Sequence, residues 1–240
     1  LLPNMLQSKT LITSIQEVLI RVRFLKPLLI CLCLIAFLGV SSVTSAATFS
    51  HTQESILYVK PGATGNCGSW VDACNLQTAL TKAMAGDQIW VTAGTYKPTT
   101  ITDRAANFQL ITGVAIYGGF AGTETNLAER DWVNNITTLS GDIGIPDDKT
   151  DNSYHVVIGS GVNFSAILDG FTITAGYATP YSSHPNGGGM YIDSGSPTLK
   201  NITFLDNLAM MGGAISNNNG DPLVENVSFL DNSASLYGGG

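Results

Sequence analysis

The chain has 240 residues, 44% hydrophobic and only 12% charged, with 26 glycines and a net charge of −7. It is too apolar for a disordered protein, and its Gly-, Thr- and Asn-rich character favours a turn-rich all-β fold over a helical one. The acidic balance excludes nucleic acid and anionic membrane surfaces as partners.

Arg21, Arg23 and Lys26 precede the apolar run Leu28 to Val40, and Ser45-Ala46-Ala47 follows. Basic, apolar and small residues in that order mark a secretory signal peptide, and the run is shorter than the roughly 20 residues that cross a bilayer. Residues 1–47 are therefore set aside as an N-terminal extension and signal, with Met5 the only start residue in the first twenty. Four basic residues and one acidic residue lie there, so 7 basic and 17 acidic residues remain beyond it. Cys31 and Cys33 leave with the signal. Cys67 and Cys74 remain, and in an exported chain they read as a disulfide closing a short loop.

Residues 48–87 form an N-terminal cap. Tyr58–Lys60 is a candidate strand. Ala73, Leu76, Leu80 and Ala83 follow 3, 4, 3 spacing, which predicts a helix over about 70–84 with Ser69 as N-cap. Such a helix blunts the open edge and exposed core of a first coil. Residues 88–240 continue as short apolar segments between Gly- and Asp-rich turns: Gln88–Thr92, Phe108-x-Leu110, Val114–Tyr117, Thr138-Leu139, Val156–Ile158 and Ala166–Leu168.

The chain then repeats. "SPTLKNITFLDNLAMMGGAI" from Ser196 aligns with "DPLVENVSFLDNSASLYGGG" from Asp221 at an offset of 25. Phe204 falls on Phe229 and Asn207 on Asn232, and the same offset relates Gly188, Gly213 and Gly238. An earlier copy, Asp169 to Ala178, aligns if Tyr181–Asn186 is a six-residue insertion. A period of this length means a solenoid. The leucine-rich ladder is absent, and the alternating Phe171-x-Ile173, Ile202-x-Phe204 and Val227-x-Phe229 are strands. About three strands and three turns per repeat make one coil of a parallel β-helix. Roughly seven coils follow Tyr58, with like residues stacked at about 4.8 Å and the asparagines forming a hydrogen-bonded ladder.

"YVKPGATGNCGSWVDACNLQTALTKAMAGDQIWVTAGTYKPT" (58–99), "GVAIYGGFAGTET" (113–125), "LSGDI", "DNSYHVV" and "ILDGFTIT" resemble bacterial exported right-handed parallel β-helix proteins. Gly212-Gly213-Ala214-Ile215, with Phe204-x-x-Asn207 and Phe229-x-x-Asn232, resembles the repeats of chlamydial polymorphic outer membrane proteins. The resemblance covers 56–240. It implies a secreted or cell-surface, outer-membrane protein, usually long, carrying a C-terminal anchor through which alone it would meet a membrane. Ending inside a repeat, the sequence reads as a piece of such a chain.

Candidate chemistry is sparse. Polysaccharide lyases and glycoside hydrolases also use parallel β-helices, and a lyase would need an Arg or Lys base and acids for Ca²⁺. Beyond residue 47 the arginines are Arg104 and Arg130. Asp206 and Asp231 stack as a carboxylate pair, which suits a structural ladder better than hydrolysis. Asp142, Asp147, Asp148 and Asp151 make a candidate Ca²⁺ loop, although the spacing fits neither an EF-hand nor a nonapeptide repeat. His51, His155 and His184 lack metal spacing. Asn135, Asn163, Asn201 and Asn226 precede x-Ser/Thr, as turn asparagines in alternating strands do anyway. The expectation is a non-catalytic adhesin-like or structural stalk that meets a glycan or a host or neighbouring cell surface. It needs no cofactor and has no assigned catalytic or metal residue. The alternative is a polysaccharide-cleaving β-helix enzyme.

Overall fold

The computed structural model describes residues 54–179 and 184–239. The expected signal segment, 1–47, lies outside the described residues. Strand β1 (Ile56–Val59) is followed by helix α1 (Leu76–Lys82), β2 (Gln88–Thr92), β3 (Gly94–Tyr96) and β4 (Phe108–Gln109). Next come β5 (Ala115–Phe120), β6 (Thr137–Ser140), β7 (Val157–Ile158), β8 (Ile167–Thr174) and β9 (Tyr177–Ala178). The regular part runs through β10 (Met190–Asp193), β11 (Thr198–Leu205), β12 (Leu208–Met211), β13 (Ile215–Asn218), β14 (Leu223–Leu230) and β15 (Ser233–Tyr237).

Residues one repeat apart lie on top of one another. Ile202, Thr203 and Phe204 pair with Val227, Ser228 and Phe229 in a parallel ladder. The main sheet stacks β1, β2, β5, β8, β11 and β14 in that order, and β4-β7-β10-β13 and β9-β12-β15 form two smaller sheets. The chain is thus an all-β right-handed parallel β-helix with a helix near its N-terminus, the crossover hand that parallel strands favour. Among the described residues the longest path through the main sheet has six strands.

The core is a set of columns. Leu57, Ile89, Ile116, Leu168, Leu199 and Val224 occupy one register position from rung to rung. The middle members are buried, each worth roughly 1.5–3 kcal/mol. Phe204 is fully buried and stacks on Phe229, ring centroids 5.6 Å apart, while Phe229 on the last rung is 44% exposed. Asn207 is 1% exposed. Its amide donates to the Ile173 carbonyl and to Asn232 Oδ1, both at 2.9 Å, and its oxygen accepts from the Gly176 N–H at 3.0 Å. The expected asparagine ladder is therefore present.

Corners are set by left-handed residues. Gly170, Asn201 and Asn226 share one corner, Ala175, Asp206 and Asp231 the next, Gly187, Gly212 and Gly238 a third, and Gly161, Ser194 and Asn219 a fourth; all have positive φ. Gly, Asn and Asp tolerate this region better than other residues, so they recur where the coil bends.

Two sequence expectations need correction. The glycine offset of 25 breaks after Ala209–Ala234, where an irregularity in β15 shifts the pairing so that Met211 meets Tyr237. Gly213 donates to the Gly238 carbonyl, as Gly188 does to that of Gly212. The structural equivalents of Gly188 and Gly213 thus include Gly239, while Gly238 matches Gly187 and Gly212 in φ. The helix is shorter than 70–84. Cys74 bonds to Cys67 and exchanges backbone hydrogen bonds with Tyr58 and Lys60, which holds it extended. The N-cap is therefore Asn75, whose side chain accepts from Thr78 N at 2.8 Å, and Ser69 instead accepts from Asp72 N.

Ala175 is the alanine among the left-handed corners, with φ 60°. Replacing it with glycine removes the Cβ clash of that region, less the extra chain entropy of glycine. Ala175→Gly is expected to stabilise the fold by about 1 kcal/mol, read as a higher urea midpoint; a lower midpoint contradicts the corner assignment.

Candidate functional site

Arg104 and Arg130, the arginines beyond residue 47, are both bound into the scaffold. Arg104 donates from Nε to the Asn152 carbonyl and from Nη2 to the Tyr177 carbonyl, each at 2.7 Å, and lies 4.2 Å from the Tyr154 ring centroid. It ties the loop before β4 to the loop before β7 and to β9. Arg130 donates to Asp169 Oδ2 at 2.7 Å and to the carbonyls of Gly118 and Asp169 at 3.2 Å. Its guanidinium lies over Tyr117 and Trp132, 5.0 and 4.8 Å from the ring centroids. Both members of the Arg130–Asp169 pair are 8% exposed. Burial, with the Asp169 carboxylate beside it, pushes the Tyr117 phenol upward. The guanidinium is thus committed to protein acceptors and ring faces. Gly170 leaves room for this contact, since a Cβ on it would stand 2.9 Å from Arg130 Nη1.

The carboxylates are likewise turn groups. Asp206 and Asp231 sit at left-handed corners, and Asp206 accepts from Lys149 at 3.3 Å across an exposed pair. In the candidate Ca²⁺ loop, Asp142 accepts from Lys97 Nζ and from Asp147 N, Asp148 caps Thr150, and Asp151 Oδ2 accepts from Ile145 N. Among the described residues no group of three or more His, Cys, Asp or Glu is placed to hold a metal. Asp151 Oδ1 is buried without a hydrogen-bond partner. His155 is buried, its Nδ1 2.9 Å from the Gly187 carbonyl, and it stacks on Tyr191 and meets His184 edge-on at 5.7 Å. Burial lowers its pKa. The ladder residues Phe204, Asn207, Phe229 and Asn232 come together as expected, but as core and corner rather than as chemistry. Cys67 and Cys74 are disulfide-bonded at a Cα separation of 4.7 Å.

Two features were not singled out from sequence. Glu124 is 8% exposed, and its carboxylate accepts from the successive N–H groups of Ala121 (2.6 Å), Gly122 (2.9 Å) and Thr123 (2.9 Å). This folds the loop after β5 beneath Trp70, whose indole donates to the Glu124 carbonyl. The second is a trough of about 260 Å³ on the main sheet, running over β8, β11 and β14 under the loop of Trp132, Val133 and Ile136. Its floor includes Thr172, Thr203 and Ser228, the intervening residues of the three alternating segments. The signal for it lay in those positions, each of which carries a hydroxyl.

No protein-family model matches the chain, and no curated protein matches it. Among solved structures it is similar to the pectate lyase Pel9A, with a TM-score of 0.47 and 18% identity, over 72% of this chain and 39% of that one. The chain therefore spans well under half the length of that protein.

Burial pulls the Glu124 carboxyl upward, but the backbone amides that bond it prevail and hold it below its ordinary value of 4.5. The stabilisation is present above the unfolded pKa and disappears as pH falls through the lower folded value. Glu124→Gln is expected to lower the denaturant midpoint at neutral pH, with the gap to the parent closing as pH falls below about 4.5. A gap independent of pH contradicts the assignment.

Proposed function

We propose that this chain is part of an exported, non-catalytic β-helix protein, an adhesin-like or structural stalk at a cell surface that meets glycans. The observation that carries the reading is the engagement of Arg104, Arg130 and Asp169 in holding loops to the scaffold. Charges arranged around a scissile bond need solvent or substrate on one side, whereas Arg130 and Asp169 are closed off by protein and the half-buried Arg104 is spent on two backbone carbonyls. The disulfide suits an oxidising compartment, in keeping with the signal-like N-terminus. The polymorphic outer membrane protein-type repeats, the outer-membrane location and the anchor belong to the same proposal and rest on the sequence resemblance.

Incubation with a panel of neutral and uronate polysaccharides, with and without Ca²⁺, is expected to give retention without product. New reducing ends or unsaturated uronate absorbance at a rate proportional to protein would establish a polysaccharide-cleaving enzyme instead.

A further inference from the structure

Thr95, Thr138, Thr172, Thr203 and Ser228 fall in one register column on five consecutive rungs. All five are exposed or half-buried. Their side-chain hydroxyls have no protein partner among the described residues, in contrast to the inward Asn207. A rung repeats at about 4.8 Å, so the column offers evenly spaced donors and acceptors along the axis.

The trough covers the last three of these positions. Asn201 and Asn226 form its other side, linked to each other at 2.7 Å, and Asn201 donates to Asp169 at 2.7 Å. Trp132 closes the trough toward the N-terminal rungs and is 39% exposed. Its loop is fastened. Arg130 lies over the indole, the Asp131 N–H donates to the Gly119 carbonyl, and Asp131 Oδ1 accepts from the N–H groups of Val133 and Asn134. A fixed aromatic beside neutral hydroxyls and amides is the chemistry that holds a sugar, with the apolar ring face on the indole and the hydroxyls on the polar column.

Among the described residues no charged side chain lines the trough. The neighbouring Lys200 and Glu225 neutralise each other at 2.7 Å, and the chain carries net charge −7. A uronate polymer would meet only cations already paired with a carboxylate, Arg130 with Asp169 and Lys200 with Glu225, and a repulsive field around them. A neutral polymer meets neither penalty, and one sugar of an extended chain advances by a length comparable to one rung.

We propose that this trough is a binding subsite for a linear neutral polysaccharide lying along the β-helix axis. Trp132 stacks on one ring, and Thr172, Thr203 and Ser228 take hydroxyls of the neighbouring sugars. The inference rests on the glycan-meeting stalk reading and deepens it by naming the site and the charge class of the ligand.

The test is calorimetric titration of the full chain with cellohexaose and mannohexaose as neutral probes and hexagalacturonate as the anionic one. A neutral hexaose is expected to bind in preference to hexagalacturonate, and Trp132→Ala to weaken that binding by roughly tenfold or more. Thr203→Val keeps shape and strand preference while deleting one hydroxyl, so it is expected to weaken binding several-fold at an unchanged denaturant midpoint. Preference for hexagalacturonate, no neutral binding by the folded parent, or binding that both variants leave unchanged overturns the site. Product release from any hexaose overturns the non-catalytic reading instead, and the two variants' affinities still decide the site.

Discussion

Everything in this chain depends on one coil being placed on the next in register. A single coil encloses too little apolar surface to hold itself, so its side chains are buried mainly by their equivalents above and below. The column from Leu57 to Val224 shows the consequence, since its members are sealed within the stack and become exposed at the last rung. The same register aligns backbone amides and carbonyls along the axis, and it brings Asn207 onto Asn232 inside the coil.

Register alone does not fix where a coil bends or how long a loop becomes. Bends occur at residues that accept positive φ, and loops are fastened by a few long-reach contacts. Arg104 spans to Tyr177 and Arg130 to Asp169, each closing a loop onto a later rung. A buried pair such as Arg130–Asp169 has to overcome the desolvation of both charges. It does so here with two further carbonyl bonds to the guanidinium and an amide donor, Asn201, to the carboxylate. The buried Arg130–Asp169 pair thus acts as a fastener, while the charges exposed on the main sheet beside the trough, Lys200 and Glu225, pair with each other.

The repeat made the fold legible in the sequence. Phe204 over Phe229 and Asn207 over Asn232 follow from counting, because parallel stacking preserves sequence offset. The cap was legible in kind but not in extent. Helical spacing reaches back to Ala73, yet Cys74 gives its backbone groups to Tyr58 and Lys60, a tertiary demand invisible to periodicity. The glycine register failed for a local reason, an extra residue in β15 that a fixed offset passes over. The candidate site was the least legible. Alternation directs attention to the inward residues of Ile202-x-Phe204, whereas the trough is built from the outward ones and from Trp132, remote in sequence. Arginines in a β-helix read as chemistry until their partners, 39 and 73 residues away, are seen.

Native-state hydrogen exchange on the parent and Asn207→Leu chains tests the stacking account most directly. Asn207 bonds one rung to both of its neighbours, and leucine leaves the Ile173 carbonyl and the Gly176 N–H unpaired in the interior. The account predicts a selective loss of amide protection in β8, β11, β12 and β14, with β1 and β2 retaining theirs. Unchanged protection in those four strands would contradict it.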